Sequence, residues 1–68
     1  MKNNIKVERA KNGITQAELA RKIQVSRQTI NAMELSKYIP STLLALRLAQ
    51  IFNTSVGDLF ILEESDWD

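Results

Sequence analysis

Cysteine and histidine are both absent from this 68-residue chain. Without thiols there is no disulfide framework and no thiolate metal site. Without imidazole as well, neither a zinc centre nor a histidine-based catalytic group is expected. No run of apolar residues is long enough to span a bilayer. The opening Met1–Lys6 lacks the apolar core of a signal peptide, so the cytoplasm is the expected compartment. The carboxylates Glu8, Glu18, Glu34 and Asp58 are scattered, and no pair of them suggests one catalytic cleft. Nothing points to an enzyme, a cofactor, a metal or a small-molecule ligand.

What remains is a single domain over residues 1–68. A chain of this size buries a limited fraction of its surface, and a partner surface would help it. The net charge of +1 conceals a polarity. Residues 1–40 hold eight basic and three acidic groups, a balance of +5. Residues 41–68 hold only Arg47 against five acidic groups, a balance of −4. A basic front suggests a polyanionic partner. An ordinary solvated surface with a solubilising acidic tail, residues 61–68, is the alternative.

Hydrophobic spacing divides the chain into five short helices. The first runs from Asn4 to about Lys11. Ile5 and Arg9 flank Val7 and Ala10, the apolar set is thin, and Asn12-Gly13 ends it. Thr15-Gln16-Ala17-Glu18 reads as a capping box opening a second helix to about Ile23. There Leu19, Ala20 and Ile23 share one face. Gln24-Val25 form a turn, with Val25 packed beneath it. Ser26 caps a third helix, Arg27 to about Glu34. Ile30 and Met33 point inward, which leaves Arg27, Gln28, Thr29, Asn31 and Ala32 outside. Pro40 holds Ser36–Pro40 as a loop. Ser41 caps a fourth helix, Thr42 to about Phe52, with Leu44, Ala45, Leu48, Ala49 and Phe52 inside. Ser55 caps a fifth, Val56 to Phe60. The remainder, Ile61 onward, is either extended against Met1–Asn3 as a short sheet or frayed.

The stretch Thr15–Leu35 therefore reads as two helices joined by a tight turn, and the outer face of the second has a particular chemistry. Gln and Asn bond adenine bidentately, Arg bonds guanine, and Thr offers a methyl or one hydrogen bond. Arg27, Gln28, Thr29 and Asn31 supply that set within five residues. A helix held across a duplex backbone by its neighbour needs such side chains near its N-terminal end. Gln16, opening the second helix, suits a phosphate through its amide and the helix dipole.

Three runs carry a family resemblance. They are Gly13–Ala20 (GITQAELA), Val25–Ile30 (VSRQTI), then Glu34, Lys37-Tyr38 and Pro40-Ser41. Together with Leu44-Ala45-Leu46, Leu48-Ala49 and Asp58-Leu59-Phe60, they resemble the Cro/C1-type helix-turn-helix regulators. The resemblance covers roughly residues 5–60. It implies an all-α, five-helix, lambda-repressor-like DNA-binding domain, with room for a short terminal β pairing. It implies double-stranded DNA as partner, and a homodimer on a palindromic operator. The implied DNA-binding residues are Gln16, Ser26, Arg27, Gln28, Thr29, Asn31, Lys37 and Tyr38. Gln16 would grip a phosphate, Arg27, Gln28, Thr29 and Asn31 would face bases or nearby phosphates, and Lys37 and Tyr38 would meet the backbone.

This chain departs from the pattern in three places. Gln24 stands where glycine is usual, and a left-handed non-glycine residue costs roughly 1–2 kcal/mol. Leu35-Ser36 replaces the usual Asn-Gly, which leaves Leu35 expected at the surface. Thr42 replaces an apolar residue.

A DNA-binding repressor is thus the first reading. The second is a protein-interaction module on the same fold, such as an antitoxin, motivated by surplus apolar Leu35, Leu43, Leu46 and Ile61. Leu43, Leu46, Ile51 and Ile61 are expected as core, rim or dimer surface. Lys6, Arg9, Lys11, Arg21 and Lys22 are expected as solvated charges that add to a general field.

Overall fold

The computed structural model describes residues 1–68. The elements run β1 (Lys2–Asn3), α1 (Ile5–Asn12), α2 (Gln16–Ile23), α3 (Arg27–Glu34), α4 (Thr42–Ile51), α5 (Val56–Leu59) and β2 (Phe60–Ile61). A 3₁₀ turn, Glu64–Trp67, follows. No helix is long and apolar enough to cross a membrane.

Side chains start three of the long helices. Thr15 Oγ1 accepts from the Glu18 amide, and the Glu18 carboxylate accepts from the Thr15 amide, which completes the capping box. The main-chain N–H of Thr15, and after it the Thr15 side chain, hold the Glu18 carboxyl below its ordinary range. Ser26 and Ser41 cap α3 and α4 in the same way, each accepting from the amide three residues on.

Four helices end alike, in a Schellman motif with a left-handed residue just past the helix. Those residues are Gly13, Gln24, Ser36 and Asn53. At the α2 end, Gln24 N–H donates to Arg21 and Val25 N–H to Ala20. At the α3 end, Ser36 N–H donates to Met33 and Lys37 N–H to Ala32. Only one of the four is glycine, so three positions carry a Cβ where the backbone disfavours one. Gln24, with φ of 65°, lies exposed at the turn between α2 and α3. Gln24→Gly is therefore expected to stabilise the domain by about 1 kcal/mol, a rise of several degrees in Tm. A calorimetric Tm that stays level or falls would show the turn to be unstrained.

The core gathers Ile5, Leu19, Ala20, Ile23, Ile30, Met33, Leu48, Ala49, Phe52 and Leu59. Each fully buried aliphatic side chain contributes roughly 1.5–3 kcal/mol of transfer free energy. Ile14 and Val25, the residues that close the first two Schellman motifs, pack against this cluster. The most extensive helix pairing is α2 against α3, which fixes the pose of the third helix. Arg47 from α4 donates to the Ile23 carbonyl at 3.3 Å and so ties down the α2 terminus.

The chain ends meet. β1 and β2 pair antiparallel, Lys2 with Ile61 and Asn3 with Phe60. The extended alternative for residues 60–61 is the one adopted, which makes the fold five helices plus a two-stranded sheet. Asn3 Nδ2 also donates to the Met33 carbonyl at 2.8 Å, which anchors the end of α3. The Met1 amine bonds Glu63 at 3.0 Å and Asp66 at 3.2 Å. Part of the acidic tail is thus pinned to the domain rather than only solvated.

Val7, taken with the apolar set of the first helix, is half exposed, because α1 presents Ile5 to the core and turns Val7 outward. Leu44 is only partly buried. Phe60 begins β2 instead of closing α5. Arg9 is not a solvated charge. It is 16% exposed and paired with Glu34.

Candidate nucleic-acid interface

The outer face of α3 and the start of α2 form one polar surface. Gln16, Arg27, Gln28 and Asn31 line an open cleft of about 320 Å³ that no hydrophobic residue borders. Arg27, Gln28 and Asn31 are exposed, as the helical period of α3 requires once Ile30 and Met33 are buried. The structure thus brings four of the eight expected site residues together.

Beside this cleft, Arg9, Ala10, Gly13–Ala17 and Arg27 line a second open hollow. It contains the start of α2. The first amides of a helix have no intrahelical acceptor, and the dipole favours an anion there. The main-chain N–H groups of Gln16 and Ala17 therefore open into a hollow that Arg27 also lines.

The remaining expected residues lie differently. The Ser26 hydroxyl accepts from the Thr29 amide at 3.2 Å and shares a hydrogen bond with the Thr29 hydroxyl at 2.9 Å. Both hydroxyls are thereby engaged in holding the start of α3, and Thr29 is only partly exposed. Its methyl is the part not engaged. Lys37 and Tyr38 are exposed in the loop that leaves α3, and so is Leu35, as its replacement of a polar residue suggests.

Beneath the polar surface lies a network that sequence reading missed. Arg9 Nε donates to Glu34 Oε2 at 2.7 Å, and Nη2 donates to Oε1 at 3.1 Å. Its Nη1 donates to the Ile14 carbonyl at 3.1 Å, so the guanidinium also braces the α1–α2 loop. The Glu34 side chain is 6% exposed. Bidentate pairing of this kind is among the stronger polar contacts available. Hydrogen bonding to Glu34 raises the Arg9 guanidinium above its ordinary value, against the opposing effect of burial. Gln16 joins the same group. Its Nε2 donates to Glu34 Oε1 at 3.2 Å and to Asn31 Oδ1 at 3.1 Å. One signal could have found the pair. Arg9 follows Ile5 by four residues and Glu34 follows Ile30 by four. Each charge therefore sits one turn along from a fully buried isoleucine, on the inward side of its helix.

The comparisons agree with this geometry. A family model described as helix-turn-helix matches residues 5–59. A relative from Methanocaldococcus jannaschii is 47% identical over 97% of this chain and 100% of its own length. Another, from Archaeoglobus fulgidus, is 46% identical over 97% of this chain and 94% of its own. The Bacillus subtilis protein YgzD is 42% identical over 97% and 100%. All three are described as uncharacterized HTH-type transcriptional regulators. With two adjoining helices, a tight turn and a polar outer face on the second, the chain belongs to the Cro/C1-type helix-turn-helix family, a family of DNA-binding transcriptional regulators and not of enzymes.

Proposed function

We propose that the protein is a cytoplasmic repressor that reads a palindromic operator through α3, as a homodimer. One observation carries this reading: Arg27, Gln28 and Asn31 stand exposed on one face of a helix whose other face is locked into the core. Arg27 and Gln28 read bases, and Asn31 reads a third position. Main-chain amides at the start of α2, Gln16 among them, hold a phosphate. Ser26 and Thr29 support the start of α3, and Thr29 offers a methyl contact. Lys37 and Tyr38 meet the backbone beyond it.

Two substitutions separate reading from gripping. Gln28→Ala is expected to cost roughly 1–3 kcal/mol at one base position and to relax selectivity there. Lys37→Ala is expected to weaken all sequences alike and to flatten the salt slope by about one unit. Selection of bound duplexes from a random pool at two salt concentrations measures both. A Gln28→Ala protein with the wild-type ratio of operator to scrambled affinity would refute the base-reading role.

The dimer surface is assigned to α4, α5 and the C-terminal residues. Leu43, Leu46, Ile61 and Leu62 are exposed there, and Ile39, Leu46, Val56 and Phe60 border an apolar groove. A small domain benefits from covering such a surface. Two copies joined this way present their α3 helices about one DNA turn apart. Sedimentation is expected to show a dimer at tens of micromolar or on DNA; a monomer in both conditions removes the assignment.

A further inference from the structure

We infer that Gln16 fixes the donor–acceptor polarity of Asn31 and thereby decides which bases α3 tolerates at that position. The inference rests on the DNA reading proposed above and adds to it a positioning residue.

Arg9 sets the polarity of the group. Its guanidinium has only donors, and two of them hold the Glu34 carboxylate. A carboxylate so held only accepts. The amide group of Gln16 that faces Glu34 Oε1 at 3.2 Å must therefore be its NH₂. An oxygen there would meet another oxygen. That NH₂ has a second hydrogen, directed at Asn31. Asn31 must answer with an acceptor, so its Oδ1 turns toward Gln16 at 3.1 Å. The Asn31 Nδ2 is left without a partner in the chain, on the wall of the open polar cleft.

An unconstrained asparagine can rotate its amide by half a turn and suit either a donor or an acceptor. Asn31 cannot do so without turning its NH₂ against the Gln16 NH₂. It therefore meets the groove as a donor. In the major groove guanine offers N7 and O6, thymine O4 and adenine N7 as acceptors, whereas cytosine offers only its amino donor. Asn31 is accordingly expected to reject cytosine at the base it faces. Gln16 would exert this effect without touching a base. The polarity is set by a half-buried ion pair two hydrogen bonds away.

The test is base preference at each operator position, measured with the full chain by competitive duplex binding. Asn31→Ala identifies the position that Asn31 faces. There the wild type is expected to bind the cytosine duplex about ten-fold more weakly than the best duplex. Gln16→Met keeps the length of the side chain and removes its amide. It is expected to bring that ratio below about three-fold and to leave the positions read by Arg27 and Gln28 unchanged. Asn31→Asp, a change at an exposed position, provides a second readout should Gln16→Met fold poorly. Its carboxylate can only accept, so cytosine is expected to become the preferred base. If Gln16→Met weakens every duplex equally and the cytosine ratio stays, Gln16 acts on the backbone alone and the inference fails while the DNA reading stands. A cytosine duplex that the wild type binds as well as any other at that position overturns it too. Wild type with no base preference at any position overturns the DNA reading itself.

Discussion

Arg9→Met is expected to destabilise the domain by about 3 kcal/mol, the lower end of the range for breaking a buried ion pair. The lower end applies because Arg9 lies near the edge of the core, at 16% exposure, where some water reaches the site. The loss arises chiefly on the other side of the pair. Glu34, 6% exposed, would keep a carboxylate that has lost its two guanidinium donors. The Ile14 carbonyl would lose its Arg9 donor as well, loosening the loop into α2. A domain of this size has roughly 3–10 kcal/mol of total stability, so the single variant should approach its unfolding threshold. The double variant Arg9→Met/Glu34→Leu removes both charges and is expected to recover most of the loss. Urea denaturation of the wild type, both single variants and the double variant closes the cycle. A loss below about 1 kcal/mol for Arg9→Met would place the pair among ordinary surface ion pairs.

Ile30→Ala should lower stability by about 2–5 kcal/mol. Ile30 is fully buried and, with Met33, seats α3 on α2 and the rest of the core. Deleting most of its side chain opens a cavity directly under the proposed reading face. At roughly 4–8 °C per kcal/mol for a domain this small, the melting temperature should fall by about eight degrees or more. DNA binding should weaken in proportion to the unfolded fraction, and saturating operator should restore part of the Tm by mass action. Base preference should not change, because no base-facing group is altered. Altered base preference in a folded Ile30→Ala protein would show that the cavity re-aims Arg27 and Gln28, so that packing and recognition are not separable here.

Arg9 and Ile30 hold the same helix, α3, from different sides. The inward face of α3 holds the helix in place by apolar burial through Ile30 and Met33 and by charge through Glu34. The outward face carries the groups proposed to meet a duplex. Glu34 belongs to both, because the oxygen that accepts from Arg9 Nη2 also accepts from Gln16. The stable double variant is therefore expected to lose the constraint on Asn31 while keeping its fold.

The order of residues by itself determined the helices. Apolar spacing, the Thr15–Glu18 box, the caps Ser26 and Ser41, and Gly13 all act within one or two turns of chain. Their energetics need no distant partner, so α2 and α3 were legible to the residue. The candidate surface was legible for the same reason. Once Ile30 and Met33 are inside, the 3.6-residue period places Arg27, Gln28 and Asn31 outside. Tertiary structure alone decided the rest. Arg9 and Glu34 lie 25 residues apart, and only the packing of α1 against α3 turns two polar side chains into a half-buried pair. The fate of residues 60–61 depended on whether β1 arrives beside them, since a strand's hydrogen bonds belong to its partner. The hand of the Asn31 amide is further still from the local sequence. It is set by a relay through three side chains from three helices, and a donor acquires direction only where its acceptor is placed.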